Sequence, residues 1–322
     1  MGYSPITGAH PVDVVVAWLS CRSKLFSRGW GDESLLADLS QRFSYADSPP
    51  AIWVQWGSAG ERRSISLRDG TFLSPLAILP KETSTVHVRA CSAEGNTAAC
   101  VILAGSRDEG YLAREHVFGS LVKRGIDLYL LENPFYGRRR TAAGPSLATF
   151  CDQALMTVAM VWEARALLEL LRGHYEKLAV AGYSMGGHMA AITAAVSPFP
   201  LACAPLATGA SAAPIYTRGL LSWSVDLDAL AGKPHLRAAA RERLNHLIEI
   251  TDITRYAPPM RADAAVILGC TRDGYVLGTE IQRLHNHWPG SSLRWIRAGH
   301  ISALLTSKRA LCDAIADGIT KL

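Results

Sequence analysis

The sequence has 322 residues, 49% of them hydrophobic and only 19% charged, with 27 glycines and 16 prolines, which excludes a disordered, collagen-like or coiled-coil chain. The 33 lysines and arginines exceed the 28 aspartates and glutamates by five, a balance too mild for the concentrated basic surface of a nucleic-acid-binding protein. Seven cysteines without a C-x-x-C pair or zinc-ligand spacing favour free buried thiols over a disulfide framework or a structural metal.

The first predicted element is a helix over the apolar run Val12–Leu19, which is too short to span a bilayer. The basic residues Arg22 and Lys24 follow this run, whereas a secretory signal carries its basic residues first. The pattern therefore favours a packed N-terminal helix in a cytoplasmic protein. An interfacial helix in peripheral contact with a membrane is the alternative.

Residues 1–84 are predicted to form an N-terminal extension that carries the first strands. A glycine-rich turn precedes a helix through Leu39, which Asp32 or Ser34 can cap. Two segments rich in β-branched and apolar residues predict strands at Ile52–Gln55 and Thr85–Ala90.

From residue 98 onward, strands that are apolar throughout alternate with helices of ten or more residues. Strands are predicted at Ala99–Ala104, Asp127–Leu131, Lys177–Ala181, Leu201–Leu206, Ala264–Gly269 and Leu293–Ile296. Helices are predicted at Ala113–Arg124, Leu147–Arg172, from Gly182 onward, Thr279–His287 and Ser302–Leu322. This alternation predicts a single α/β domain over residues 1–322, with a mostly parallel twisted sheet and helices on both faces. Ligands of such sheets bind at the carboxyl ends of the strands, where functional residues are therefore expected.

The third strand of this series leads into the pentapeptide Gly182-Tyr183-Ser184-Met185-Gly186, a G-x-S-x-G motif. Between an apolar strand and a helix of small residues, it predicts the nucleophile elbow of an α/β-hydrolase. Ser184 would sit in a sharp turn, and the two glycines would lack the Cβ atoms that collide there. The Met185 N–H would form half of an oxyanion hole at the helix start. The alternative is a tight strand–helix turn with an incidental serine.

A nucleophilic serine requires a histidine base and an orienting acid, which α/β-hydrolases place in the order Ser, Asp/Glu, His. Asp273 and His300 each follow a predicted strand, so both are expected at the same sheet edge as Ser184. His188 lies on the elbow helix and is interpreted as a packed, hydrogen-bonded residue beneath the site. Asp263 is the rival candidate for the acid, but it precedes its strand, which places it at the opposite edge of the sheet.

The second oxyanion donor is predicted to be the N–H of Ser106, just after the first core strand. Arg107 next to it is either a surface charge or a substrate clamp. The basic run Arg138–Arg140 follows the next strand and would either meet an anionic group or form a solvated loop. Substrate-binding candidates at or near the predicted site are Tyr183, Arg107, Phe135, Tyr136, Arg138 and Trp223.

Residues 209–258 lie between the fourth and fifth strands of the series and are predicted to form a small helical lid over the site. Trp223 and several leucines there could line an apolar pocket. The alternative is that these apolar faces pack on the body of the domain.

Several stretches resemble the α/β-hydrolase-domain-containing protein 18 family. They are Lys24–Gly31, Asp69–Pro75, Leu103–Gly105, Leu131–Gly137, Gly182–Ala190, Trp288–Gly290 and Ala298–Ala303. The resemblance implies an α/β-hydrolase fold, a Ser184–Asp273–His300 triad and ester substrates of acyl-lipid type. The family pattern has a glycine where this chain has Arg107, so a different shape is expected for the oxyanion loop.

The sequence thus predicts a serine hydrolase that cleaves a carboxylic ester or thioester through an acyl-enzyme and needs neither a metal nor an organic cofactor. An acyltransferase or cyclase would use the same triad with an acceptor other than water. A non-catalytic binding protein on a hydrolase scaffold is the third alternative. The expected partner is a small-molecule or lipid ester and not a nucleic acid, and the oligomeric state stays open.

Overall fold

A computed structural model describes residues 8–42, 45–62, 64–142 and 147–322 of the chain. Within these ranges, nine strands form one sheet in the order β1-β2-β3-β5-β4-β6-β7-β8-β9. The strands are β1 (Gln55–Arg62), β2 (Ile65–Leu73), β3 (Thr85–Ser92), β4 (Ala98–Leu103), β5 (Ile126–Leu131), β6 (Lys177–Tyr183), β7 (Ala202–Leu206), β8 (Val266–Cys270) and β9 (Ser292–Ile296).

The sheet has an antiparallel part and a parallel part. Strands β1, β2, β3 and β5 pair antiparallel in succession, whereas β5, β4, β6, β7, β8 and β9 run parallel. Every residue of β4, β5, β7 and β8 is buried, because helices cover both faces of the parallel part. The predicted α/β fold with a mostly parallel sheet is therefore confirmed, and the carboxyl ends of six strands share one edge.

Helices pack on both faces of the sheet, and three helices follow one another along the chain between β7 and β8. The helices of the fold are α1 (Pro11–Ser20), α2 (Glu33–Arg42), α3 (Leu112–Phe118), α4 (Phe150–Leu171), α5 (Met185–Ala195), α6 (Ala213–Thr217), α7 (Leu227–Ala231), α8 (Arg237–Ile248), α9 (Gly278–His287), α10 (His300–Thr306) and α11 (Lys308–Thr320). Among the residues that the structure describes, every helix falls short of the length or the hydropathy that crossing a bilayer requires.

The buried helix α4 shows how local sequence defines an element. Thr149 caps its N-terminus in a reciprocal capping box, accepting from the Asp152 N–H while the Asp152 carboxylate accepts from the Thr149 N–H. Eighteen of its 22 residues are buried, because it packs against β4, α2 and α5. The helix therefore begins at Phe150 rather than at Leu147, where the sequence predicts it.

Other element boundaries differ from the predictions for local reasons. The strand predicted at Ile52–Gln55 instead begins at Gln55, and the prediction lacks β2, whose Arg-Asp-Gly centre interrupts the apolar pattern. The helix predicted over 113–124 is α-helical only to Phe118 and then continues as a 3₁₀-helix. The C-terminal helix divides at Ser307 into α10 and α11, so that His300 opens a helix instead of ending a loop.

The first 84 residues contain α1, α2, β1 and β2, although parts of that segment, 1–7, 43–44 and 63, lie outside the described residues. The segment predicted as a lid, 209–258, contains α6, α7, α8 and several 3₁₀ turns. It begins just after the carboxyl end of β7 and leads toward the start of β8. Whether it acts as a lid stays a prediction.

Candidate active site

Ser184 occupies a strained turn between β6 and α5. Its backbone has φ 57° and ψ −122°, a conformation that few residues other than glycine adopt. A Cβ on Gly182 would lie 2.3 Å from the Gly186 carbonyl carbon, and one on Gly186 would lie 2.3 Å from the Leu103 carbonyl oxygen. Two glycines are therefore required at these positions, which is the packing that the G-x-S-x-G spacing predicts.

Asp273 and His300 meet at the same edge of the sheet, after β8 and β9. The His300 Nδ1 lies 2.7 Å from Asp273 Oδ2, and both side chains are almost completely buried. Because a carboxylate can only accept, Nδ1 carries the proton and Nε2 keeps its lone pair. The other carboxylate oxygen, Oδ1, accepts from the Tyr275 and Val276 N–H groups at 2.8 Å each, which fixes the acid.

The surroundings of His300 favour its protonated form. Burial opposes protonation, but the charge and hydrogen bond of Asp273, together with the charge of Asp13, outweigh it and raise the pKa of His300. The rings of Tyr183 and Tyr275 pack on the imidazole at centroid distances of 5.2 and 4.9 Å. A base with a raised pKa beside two apolar ring faces is suited to accept a proton during a reaction.

The loop after β4 approaches the Ser184 turn. A Cβ on Gly105 would lie 3.2 Å from the Tyr183 carbonyl oxygen, so the loop packs directly on the turn. Ser106 lines the cavity space beside Ser184, as does Met185, the first residue of α5. The N–H of a first helical residue has no acceptor within its own helix and is available to an anion.

Arg107 takes φ +64°, the left-handed conformation that favours glycine. Its guanidinium donates to the carbonyls of Ser20 (3.3 Å) and Ser23 (2.9 Å). The backbone at this position therefore has a form that glycine adopts more easily, and the arginine side chain ties the loop to the end of α1 and the residues after it.

Two cavities adjoin Ser184. The first is narrow and lies between α4, α5 and the 209–258 segment. Its lining is mostly apolar, with Met189, Ile215, Leu221 and Leu247 among the contributors. The second is a wider cleft that both Ser184 and His300 line, together with Tyr183, Arg107 and Tyr275. Ser184 thus stands between a narrow apolar cavity and an open cleft.

The remaining predicted substrate-binding residues lie outside the lining of these two cavities. Phe135 and Tyr136 are buried in the core. Trp223 packs on the core, and its carbonyl accepts from Lys24. Arg138 is half exposed, pairs with Glu132 and lies over the Tyr111 ring.

The other two arginines of the basic run also have partners within the chain. Arg139 is fully buried and binds Glu163 through both Nη atoms, at 2.6 and 2.8 Å. It also donates to the carbonyls of Thr83 and Glu132, which uses all five of its N–H groups. Arg140 pairs with Glu109. Arg139 is therefore a structural core residue, whose anionic partner is the Glu163 carboxylate of the chain itself and whose side chain is not part of a solvated loop.

His188 lies one turn after Ser184 on α5 and is buried. Its Nδ1 lies 3.2 Å from the Gly209 carbonyl oxygen and its Nε2 2.7 Å from the Thr251 carbonyl oxygen. Burial lowers the pKa of His188 in spite of these two acceptors. As the sequence predicts, it is a packed, hydrogen-bonded residue, and its ring lies between the Gly209 and Thr251 carbonyls of the 209–258 segment. Asp263 lies before β8 and pairs with Arg261.

Two buried residues near the site were missed by sequence reasoning. Arg114 donates to the carbonyls of Ile102, Leu131 and Gly110, which joins the ends of β4 and β5. Asp13 on α1 accepts from the N–H of His300. The one available signal was a single carboxylate inside the apolar run 12–19. Within the described ranges, no three histidine, cysteine, aspartate or glutamate side chains converge in a way that could hold a metal ion.

The parallel sheet with helices on both faces and the strained serine turn after β6 define an α/β-hydrolase fold. The chain belongs to the family "Alpha/beta hydrolase domain containing 18", whose sequence model matches residues 23–235 and 233–321. The family suggested by the sequence motifs is therefore confirmed.

Solved structures with the same fold include two acetyl xylan esterases. The enzyme from a Paenibacillus species has 14% identity and a TM-score of 0.54, over 91% of this chain and 98% of that one. The enzyme from a Thermoanaerobacterium species has 12% identity and a TM-score of 0.56, over 94% and 99%. The acylaminoacyl peptidase of Pyrococcus horikoshii has 12% identity and a TM-score of 0.53, over 79% of this chain and 40% of that one. At these identities the likeness establishes the fold.

Proposed function

We propose that this protein is a serine hydrolase that cleaves a carboxylic ester or thioester through an acyl-enzyme. The observation that carries the proposal is the 2.7 Å contact between His300 Nδ1 and Asp273 Oδ2 in a cleft that Ser184 also lines. A proton held on Nδ1 leaves Nε2 as the base, and the raised pKa of His300 suits a group that must accept a proton.

In the proposed reaction the Ser184 hydroxyl attacks the substrate carbonyl as Nε2 of His300 removes its proton. The buried Asp273 carboxylate stabilises the resulting imidazolium and keeps the ring oriented. The N–H groups of Met185 and Ser106 stabilise the oxyanion. His300 then protonates the leaving group and activates water, which releases the acid and restores the serine.

An acyl group of lipid type is the proposed substrate portion. The cavity on one side of Ser184 has the mostly apolar lining that is typical of small-molecule sites. Residues of the 209–258 segment, including Ile215 and Leu247, supply part of that lining, which supports a lid role for the segment. The wider cleft would take the alcohol or thiol portion.

Fluorophosphonate labelling tests the activated serine. The wild-type chain should label, and Ser184→Ala should not. Ser292→Ala removes a hydroxyl at the start of β9, on the opposite edge of the sheet, and should label like the wild type. An unlabelled wild type, under conditions where a control hydrolase reacts, would contradict the proposal and favour a non-catalytic binding protein. Product analysis with and without an acceptor alcohol or amine separates hydrolysis from acyl transfer.

A further inference from the structure

Asp13, on the N-terminal helix α1, has a side chain with no exposed surface and makes an unusual set of contacts. Its Oδ2 accepts from the N–H of His300 at 2.7 Å and from the N–H of Gly274 at 3.1 Å. Its Oδ1 accepts from the N–H of Ile301 at 2.9 Å. One carboxylate thus joins the segment that follows Asp273 to the segment that begins at His300.

The surrounding backbone is shaped to admit this carboxylate. A Cβ on Gly299 would lie 2.7 and 2.8 Å from the two carboxylate oxygens of Asp13, so only glycine leaves room for it. The residue before α1 adds a parallel connection, because the His10 N–H donates to the Arg272 carbonyl at 2.9 Å. The start of α1 is therefore bonded to Arg272 and Gly274, which flank Asp273, and to His300 itself.

We infer that Asp13 is a positioning residue of the active site, which fixes the His300 backbone against the Asp273 segment and adds a second negative charge beside the imidazole. This inference rests on the proposed function, since it takes His300 to be the catalytic base that Asp13 positions. The arrangement explains why a carboxylate lies buried in a helix that is otherwise apolar. Burying it without these three N–H donors would be strongly unfavourable.

The effect of Asp13 on the pKa of His300 must be weighed with every other charged or titratable group near the imidazole. Asp273 and Asp13 both raise the pKa of His300 against the effect of burial. Tyr183, Tyr275 and Cys270 are neutral at physiological pH, because burial raises the pKa of Tyr275 and Cys270 to about 12 and that of Tyr183 well above its usual range. The other neighbours are His10, whose ring accepts from the Val12 N–H, and Arg107, whose guanidinium is bonded to Ser20 and Ser23.

The test compares Asp13→Asn with Asp127→Asn in the full chain, by the rate of fluorophosphonate labelling across pH. Asp127 is a matched control, because it is also buried and also accepts a main-chain N–H, from Ala93 at 3.1 Å, but lies at the start of β5. Asp13→Asn should label about tenfold or more slowly at neutral pH, because His300 is misplaced. The inflection in the pH profile of Asp13→Asn labelling should move to lower pH, because the variant lacks a negative charge that favours the imidazolium. Asp127→Asn should keep the wild-type rate and inflection.

A folded Asp13→Asn variant with the wild-type rate and inflection would overturn the inference. A slower rate at an unmoved inflection would also overturn it, by reducing Asp13 to a structural residue. Failure of the wild type to label, by contrast, is a failure of the proposed function.

Amide hydrogen exchange of the wild type gives an independent measurement that needs neither activity nor a folded variant. The amides of Gly274, His300 and Ile301 should exchange as slowly as those of β8. Exchange at the rate of exposed loop amides would show that the Asp13 contacts do not persist, and would overturn the inference.

Discussion

The Tyr183 hydroxyl donates to the main-chain carbonyl of His300 at 2.5 Å. Tyr183 directly precedes Ser184, so this bond joins the serine turn to the first residue of α10. Burial raises the pKa of Tyr183 far above its usual range, which keeps the hydroxyl protonated as a donor. Tyr183 also lines the cleft, but its hydroxyl is engaged with the protein.

Tyr183→Phe tests this connection. Loss of this buried hydrogen bond should cost about 0.5–1.5 kcal/mol of unfolding free energy. We expect a reduced labelling rate as well, because serine and histidine are no longer joined. Urea denaturation and labelling measure the two effects. Tyr129→Phe removes a hydroxyl on β5 that is bonded to Tyr175, and it should lower stability without changing the labelling rate.

The pH dependence of labelling follows from the raised pKa of His300. Only the neutral imidazole can accept the serine proton, so the rate should rise with pH through an inflection above 6.5, the ordinary histidine value. Asp273→Asn should lower that inflection and reduce the rate by about 10³–10⁴-fold, since the ring loses its tautomer and its counter-charge. Asp263→Asn is the control, because Asp263 lies at the other end of β8. A wild-type inflection below 6.5 would contradict this account.

Gly186→Ala should abolish labelling. The added Cβ would lie 2.3 Å from the Leu103 carbonyl oxygen, and the nearest atoms are all main-chain atoms of Leu103 and Ala104, so no flexible side chain can move to relieve the clash. Gly119→Ala provides the matched control, because its Cβ meets nothing within 4 Å and its φ is −58°. That variant should be as stable as the wild type or more stable by about 0.5–1 kcal/mol. Thermal unfolding and labelling of both variants make the comparison.

Narrowing the apolar cavity should change the preferred acyl length. Leu247→Trp places a larger ring in the lining contributed by α8. Relative to acetyl esters, kcat/KM for octanoyl esters should fall by about 10–100-fold, because the longer chain loses its space. Leu236→Trp, at a position 42% exposed in the same segment, should leave the ratio unchanged. An equal loss for both esters would argue that the cavity does not hold the acyl chain.

Arg139 should be a large contributor to stability. Arg139→Met leaves the Glu163 carboxylate buried without its partner, and we expect a loss of about 3–5 kcal/mol in urea denaturation. The double variant Arg139→Met with Glu163→Leu should recover much of that loss, because no charge is left unpaired. Arg140→Met removes a half-exposed pair with Glu109 and should cost less than about 1 kcal/mol. Similar losses for the two single variants would contradict the role given to burial.

The fold class and the chain order of Ser184, Asp273 and His300 were predictable because each depends on local pattern. An apolar strand, a glycine-flanked serine and polar residues after later strands can be read within short windows. The contacts of Asp13, Arg139 and His188 were not predictable, because each joins segments far apart in the chain. The partners of the basic run were not predictable for the same reason, since Glu163 lies on α4, 24 residues from Arg139.

The Asp13–His300 bond spans 287 residues of sequence. Contacts of such separation form late in folding, because the loop that they close is long and its entropy must first be offset by the rest of the core. During synthesis α1 emerges first, and the strands and helices of nearly the entire domain must follow before its carboxylate meets its partners. Nascent and C-terminally truncated chains would therefore hold an incomplete site, so that reactivity appears only once the whole domain has assembled.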